Sequence, residues 1–94
     1  MTTSTGSPLT VLAEQVTPIE ATWDDARPVV AVAALPDLVG WELKPEGLCR
    51  ADACVPLSDR AMVERPGGVD LVAAAAALGR PAVVDVDAGL VAVA

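Results

Sequence analysis

The stretch from Asp70 to Pro81, DLVAAAAALGRP, leaves a chain of this kind the least conformational freedom. Asp70 can accept a hydrogen bond from the first unpaired amides of a helix, alanine is the strongest helix former, and Gly79 followed by Pro81 stops the run. These signals predict a helix over Leu71 to Leu78. The alanines Ala73 to Ala77 could form a close-packing face for a partner, but a small domain needs slim contacts of its own, and core packing is the reading taken. No other segment combines a start, a body and a stop in this way.

The rest of the chain reads as short extended pieces. PAVVDVDAGLVAVA alternates apolar residues on both sides of DAG, which predicts a hairpin with Gly89 at the positive-φ position and Asp85 and Asp87 as solvated turn residues. A calcium loop would require more oxygen ligands at regular spacing. Leu9 to Val16 is read as a strand. Arg27 to Leu35, RPVVAVAAL, is read as a buried strand with helix as the alternative, and Pro36 to Val39 as a helical turn closed by Gly40. In WELKPEGLC, Pro45 and Gly47 take the second and fourth positions of a type I turn between strands Trp41 to Leu43 and Leu48 to Arg50. Val55 to Leu57 is extended because Pro56 disfavours a helical Val55, and Ser58 to Gly68 is read as a loop. Met1 to Pro8 is Ser/Thr/Gly-rich and is read as a disordered tail. The resulting expectation is one α+β domain over residues 9–94, a small, mainly antiparallel β-sheet with one main α-helix packed on it.

Composition narrows the function. A chain of 94 residues supports one modest core, burying roughly 60% of its unfolded surface. With Trp23 and Trp41 as the only aromatic residues, that core is built from small side chains. Trp41 is read as a core anchor, with the wall of a binding pocket as the alternative. Six basic residues against 13 acidic ones give a formal charge of -7, the wrong sign for a phosphate backbone, so no nucleic acid partner is expected. The first residues carry neither a basic group nor an apolar run, and no segment reaches membrane-spanning length; a cytoplasmic protein with no membrane partner is the expectation. With no histidine the chain has no Ser-His-Asp triad and no Cys-His pair. It has no glycine-rich phosphate loop either.

What remains is LCRADACVPL, with Cys49, Arg50, Asp52 and Cys54 in six residues. In a reducing compartment two nearby cysteines point to metal binding, catalysis or thiol switching. A reactive thiolate needs a lowered pKa, and Arg50 is the only cation close in sequence. Two geometries are open. A tight turn at Ala51-Asp52 sets Cys49 opposite Cys54 at a non-hydrogen-bonded pair, which suits a disulfide or a soft metal ion such as Cu(I), Zn(II) or Hg(II) on the two thiolates. A helix or open loop instead puts Cys49 and Asp52 on one face, which suits attack by sulfur with proton delivery from a carboxylic acid. Two small hydrophobic cysteines beside a turn aspartate are the inert alternative.

GWELKPEGLCRADACVPL, followed by VDLVAAAAALGRPAVVDVDAGLVAV, resembles a small actinobacterial module often found ahead of redoxin, thioredoxin-like, domains. The spacing Cys49-x-x-Asp52 with Pro56 beyond it is also similar to the active-site stretch of alkylmercury lyases. That resemblance implies Cys49 as the attacking thiolate, Asp52 as the proton donor and Cys54 as the assisting thiol. In that family the second cysteine lies far along the chain, whereas Cys54 follows Asp52 by two residues. The functional expectation is therefore a small thiol-dependent protein with lyase-like or redox chemistry at Cys49, Asp52 and Cys54, flanked by Arg50 and Trp41 and acting on a small-molecule or protein thiol. The alternative is a non-catalytic accessory or partner-binding module.

Overall fold

Alternation in VTPIEATWD explains the longest strand of the molecule. Thr17, Ile19, Ala21 and Trp23 turn toward the interior while Glu20, Thr22 and Asp24 face out, the period of a half-buried strand. In the computed structural model, which describes residues 7–13, 15–24 and 26–94, this strand is β2 (Val16–Asp24). It pairs antiparallel with β1 (Ser7–Leu12) along its first half and with β3 (Arg27–Val30) at its far end. Pro18 is tolerated because β3 reaches only Thr22 to Asp24, which leaves the other side of Pro18 unpaired. Of the tail expected over residues 1–8, residues 1–6 lie outside the described residues, and Ser7 and Pro8 open β1.

The chain is mainly β, not the α+β arrangement of one helix on a short sheet. Seven strands form one sheet in the order β7-β8-β3-β2-β1-β10-β9, and β4 (Glu42–Lys44), β5 (Gly47–Arg50) and β6 (Ala53–Val55) form a second. The first sheet is completed by β7 (Glu64–Arg65), β8 (Gly68–Asp70), β9 (Ala82–Asp85) and β10 (Leu90–Val93), with β1 and β10 parallel. The helices are short: α1 (Leu35–Val39), α2 (Arg60–Val63) and α3 (Leu71–Ala77). None is long and apolar enough to cross a membrane among the described residues. The predicted helix is therefore present, with Asp70 as its cap, but it buries only Leu71, Ala74 and Ala75. One leucine and two methyl-sized side chains on a helix of two turns cannot cover this sheet, and Leu35, Leu38 and Val39 of α1, Val63 of α2 and Leu48 of the second sheet complete the core.

Two further expectations are corrected. The strand expected over Arg27 to Leu35 ends at Val30, because the ladder to β8 stops at the pair Val30↔Val69. The chain then coils into a 3-10 turn over Val32–Ala34, where the Ala34 amide bonds the Ala31 carbonyl, and enters α1. The loop expected over Ser58 to Gly68 contains α2 and the β7–β8 hairpin, drawn inward by Val63, which is buried. The predicted hairpin at the C-terminal end is present: Asp85 pairs with Leu90, Asp85 Oδ1 accepts from the Ala88 amide, and Gly89 has φ 64°.

Leu9, Val11, Val30, Leu35, Leu71 and Val91 form the centre of the core. Leu48 of β5 enters the same cluster, with Leu43 and Trp41 packed against it, so the small second sheet is fastened to the main core through one face.

Candidate functional site

The second sheet is two consecutive two-residue hairpins. The first turns at Pro45-Glu46, with Lys44 opposite Gly47. Gly47 is required there twice over: its φ is 131°, and a Cβ would lie 2.1 Å from the Val55 carbonyl oxygen. The second hairpin turns at Ala51-Asp52, with the register Arg50↔Ala53, Cys49↔Cys54 and Leu48↔Val55. Ala51 adopts φ 52°, a left-handed conformation that costs an L-residue about 1 kcal/mol.

In a two-residue hairpin the first pair is hydrogen-bonded and the second is not, so Cys49 and Cys54 occupy the pair at which the strands approach most closely. Their Cα atoms are 4.0 Å apart and their sulfurs are joined in a disulfide. Of the two geometries open to LCRADACVPL, the chain adopts the facing one. Asp52 sits exposed in the turn. Arg50, also exposed, follows Cys49 on the strand, and successive strand residues point to opposite faces, so its guanidinium is carried away from the sulfur. Trp41 packs on the core just ahead of β4.

The two sulfur-bearing residues differ in access. Cys49 is 4% exposed, whereas Cys54 is exposed on the outer strand β6. On the other side of Cys49, across β4, stands Glu42. The row Glu42, Cys49, Cys54 thus lies on one face of the sheet, with a carboxylate at one end and the accessible sulfur at the other. The Pro45-Glu46 turn is what brings Glu42 beside Cys49. Among the described residues no group of three or more cysteine, aspartate or glutamate side chains is placed to hold a metal ion. With both cysteines in the disulfide, neither is a thiolate ligand.

A second feature lies directly along the chain from Cys54. β6 runs out at Val55, and the next residues form one wall of a cavity of about 490 Å³. Pro56, Leu57 and Met62 face Val72, Ala73 and Ala76 of α3 across it. Two ionic side chains border this apolar space, Arg27 and Asp59. The Arg27 Nε donates to Asp70 Oδ2 at 3.0 Å while Asp70 Oδ1 accepts from the Ala73 amide at 3.0 Å, so one buried carboxylate caps α3 and aims the guanidinium. Arg65 approaches the same Asp70 oxygen at 3.9 Å and Asp24 at 3.6 Å. The sequence marked Asp70 as a cap but gave no sign of its arginine partners, which arrive from β3 and β7.

No protein-family model matches the chain, and no curated protein or solved structure is detectably similar to it.

Proposed function

We propose that the protein is a small thiol-disulfide redox module in which Cys49 and Cys54 alternate between the cross-strand disulfide and the dithiol. The observation that carries this reading is the pairing itself: two cysteines on facing strands, one sulfur-bearing residue buried and one exposed. An incoming thiolate reaches Cys54 Sγ, forms a mixed disulfide there and breaks the bond to Cys49, whose sulfur leaves with the electron pair as a thiolate. A second thiol then attacks the mixed disulfide and releases Cys54. Two thiols are oxidised to one disulfide and the protein gains the dithiol; run backwards, the dithiol reduces a substrate disulfide.

Two physical points support the assignment. The disulfide closes a loop of sequence separation 5, for which chain entropy provides only about 2 kcal/mol, at the low end for a disulfide and less than the stability of a domain this size. The turn that joins the cysteines holds Ala51 in a left-handed conformation, and stored backbone strain concentrates at working sites. In this reading Cys54, not Cys49, meets the substrate, and Asp52 is a solvated turn residue.

The test is a trapping experiment read by intact-mass spectrometry, with oxidised glutathione for the single-cysteine variants, where exchange at Cys54 releases one reduced glutathione, and with reduced glutathione for the wild-type disulfide. Cys49→Ser should accumulate one glutathione adduct at Cys54, because no resolving thiol remains, whereas Cys54→Ser should stay largely unmodified while folded. A wild-type disulfide that survives excess glutathione in the folded protein would overturn the proposal and favour a non-catalytic accessory module.

A further inference from the structure

The cavity between α3 and the Pro56 to Met62 segment calls for an occupant of defined chemistry. Its walls are apolar, contributed by Pro56, Leu57, Met62, Val72 and the α3 alanines, and its volume of about 490 Å³ falls in the range of small-molecule sites. The exposed side of α3 is lined with alanine, so the groove is wide because the helix is slim, and the exposed Met62 forms an adaptable lip.

Its charged groups are a matched pair, with the hydroxyl-bearing Ser58 next to one of them. Arg27 uses Nε for Asp70, which orients the guanidinium; that carboxylate is its only side-chain partner among the described residues, which leaves the terminal nitrogens without one, and the residue lines the cavity. A planar pair of donors held in this way is suited to a carboxylate. Asp59 occupies the N-cap position of α2 yet makes no capping hydrogen bond, and among the described residues its carboxylate has no ion-pair or hydrogen-bond partner. A carboxylate that neither caps its helix nor pairs with a neighbour is available for a cationic group. Arg60, the next residue, is committed elsewhere, to Glu64 and to the Pro45 carbonyl.

We infer that this cavity binds a zwitterion with an apolar body, an apolar α-amino acid or a short apolar peptide, its carboxylate on Arg27, its ammonium on Asp59 and its side chain against α3. Charge complementarity selects this class. A simple anion would meet Asp59 in a chain of formal charge -7, a simple cation would meet Arg27, and an uncharged molecule would leave both unpaired. The inference stands apart from the thiol chemistry, since none of its residues is a cysteine and its test is read with the disulfide intact.

The experiment is a titration of the oxidised full-length chain, followed by amide chemical shifts and calorimetry. The probes are leucine, leucinamide, N-acetyl-leucine and the dipeptide Leu-Leu. Leucine or Leu-Leu should bind saturably at concentrations of about 1 mM or below, within reach of a ligand of roughly nine or more non-hydrogen atoms. The preferred length then reports the distance between the two charged groups. Leucinamide, lacking the carboxylate, and N-acetyl-leucine, lacking the ammonium, should each bind about tenfold more weakly or worse. Because Arg27 also neutralises the buried Asp70, its end is tested through the ligand and not by substitution. Asp59→Asn, at an exposed position, should weaken leucine about tenfold while N-acetyl-leucine, relieved of a like charge, binds as tightly as before or more tightly. Ala76→Phe, exposed on α3, should fill the groove and abolish binding of every probe. Absence of saturable binding by leucine and Leu-Leu, or equal affinity for all probes, would overturn the inference.

Discussion

Reduction of the Cys49–Cys54 disulfide is the perturbation whose outcome follows most directly from the structure. The loop it closes, of sequence separation 5, restricts the unfolded chain little, and chain entropy sets the loss on reduction at about 2 kcal/mol. The folded side loses little more. Cys49 is 4% exposed and as a thiol remains a small hydrophobic side chain, and the pairs Leu48↔Val55 and Arg50↔Ala53 on either side need no sulfur bond. A domain of this size has a total stability of about 5–15 kcal/mol, so the reduced form should stay folded. The assay is urea denaturation of oxidised and reduced protein, followed by tryptophan fluorescence from Trp23 and Trp41. With a slope near 1.5 kcal/mol per molar, the midpoint should fall by about 1 M on reduction, and the melting temperature by about 10 °C. Both forms should unfold cooperatively, and Cys49→Ala combined with Cys54→Ser should match the reduced wild type. A reduced form with no cooperative transition, or a loss above about 5 kcal/mol, would refute the reasoning. It would make the disulfide a structural staple and remove the basis for redox cycling.

Three further outcomes follow from local geometry. Gly47→Ala would place a Cβ 2.1 Å from the Val55 carbonyl at φ 131°, and should cost about 3 kcal/mol or more, read as an unfolding midpoint, with faster amide exchange in β5 and β6. Ala51→Gly relieves the left-handed alanine of the second turn and, net of the entropy glycine adds to the unfolded chain, should stabilise the oxidised protein by about 0.5 kcal/mol; destabilisation would show that the turn is unstrained. Asp70→Ala removes both the cap of α3 and the partner of Arg27, whose side chain is 41% exposed and can be rehydrated, so the expected cost is about 2–3 kcal/mol. Asp70→Asn keeps an acceptor for the Ala73 amide and should cost about 1 kcal/mol less.

The parts of the fold that the sequence made legible are those decided within a few residues. Asp70 and Gly79 bound α3, Gly89 turns the last hairpin, and the first turn of the second sheet stands where Pro45 indicated, while the second, at Ala51-Asp52, is one of the two geometries left open. What escaped was decided by distant partners. β2 was hidden because Pro18 argues against a strand unless one edge is known to be free, and that freedom depends on how far β3 extends. β7 and β8 are too short to show a period, and they exist because Val69 finds Val30, nearly forty residues back along the chain. The fold class failed for a related reason. Five alanines make a helix certain but also make its buried face small, and propensity says nothing about whether a helix can close a core. The cysteine pairing was readable as one of two geometries; their unequal exposure was not, because it depends on Cys49 lying on the central strand β5 and Cys54 on the outer strand β6.

That placement gives the redox reading its physical logic. Leu9, Val11, Val30 and Val91 of the seven-stranded sheet lie at the centre of the core, and none of them belongs to the hairpin that carries the disulfide. The second sheet hangs on that core through Leu48, with Leu43 and Trp41 beside it, and turns its Cys49–Cys54 face away from Leu48. Bond exchange at Cys54 therefore acts on a peripheral element whose backbone pairing survives on both sides of the cysteines. The same chain that leaves β6 builds one wall of the cavity and then α2, where Arg60 reaches back to the Pro45 carbonyl at 3.4 Å. The disulfide and the cavity thus share one boundary, the segment from Ala53 to Val63, while the opposite wall is α3, fixed to the core by Leu71, Ala74 and Ala75. The proposed redox bond and the proposed binding cavity therefore both lie outside the centre of the core, one on each side of the segment that joins β6 to α2.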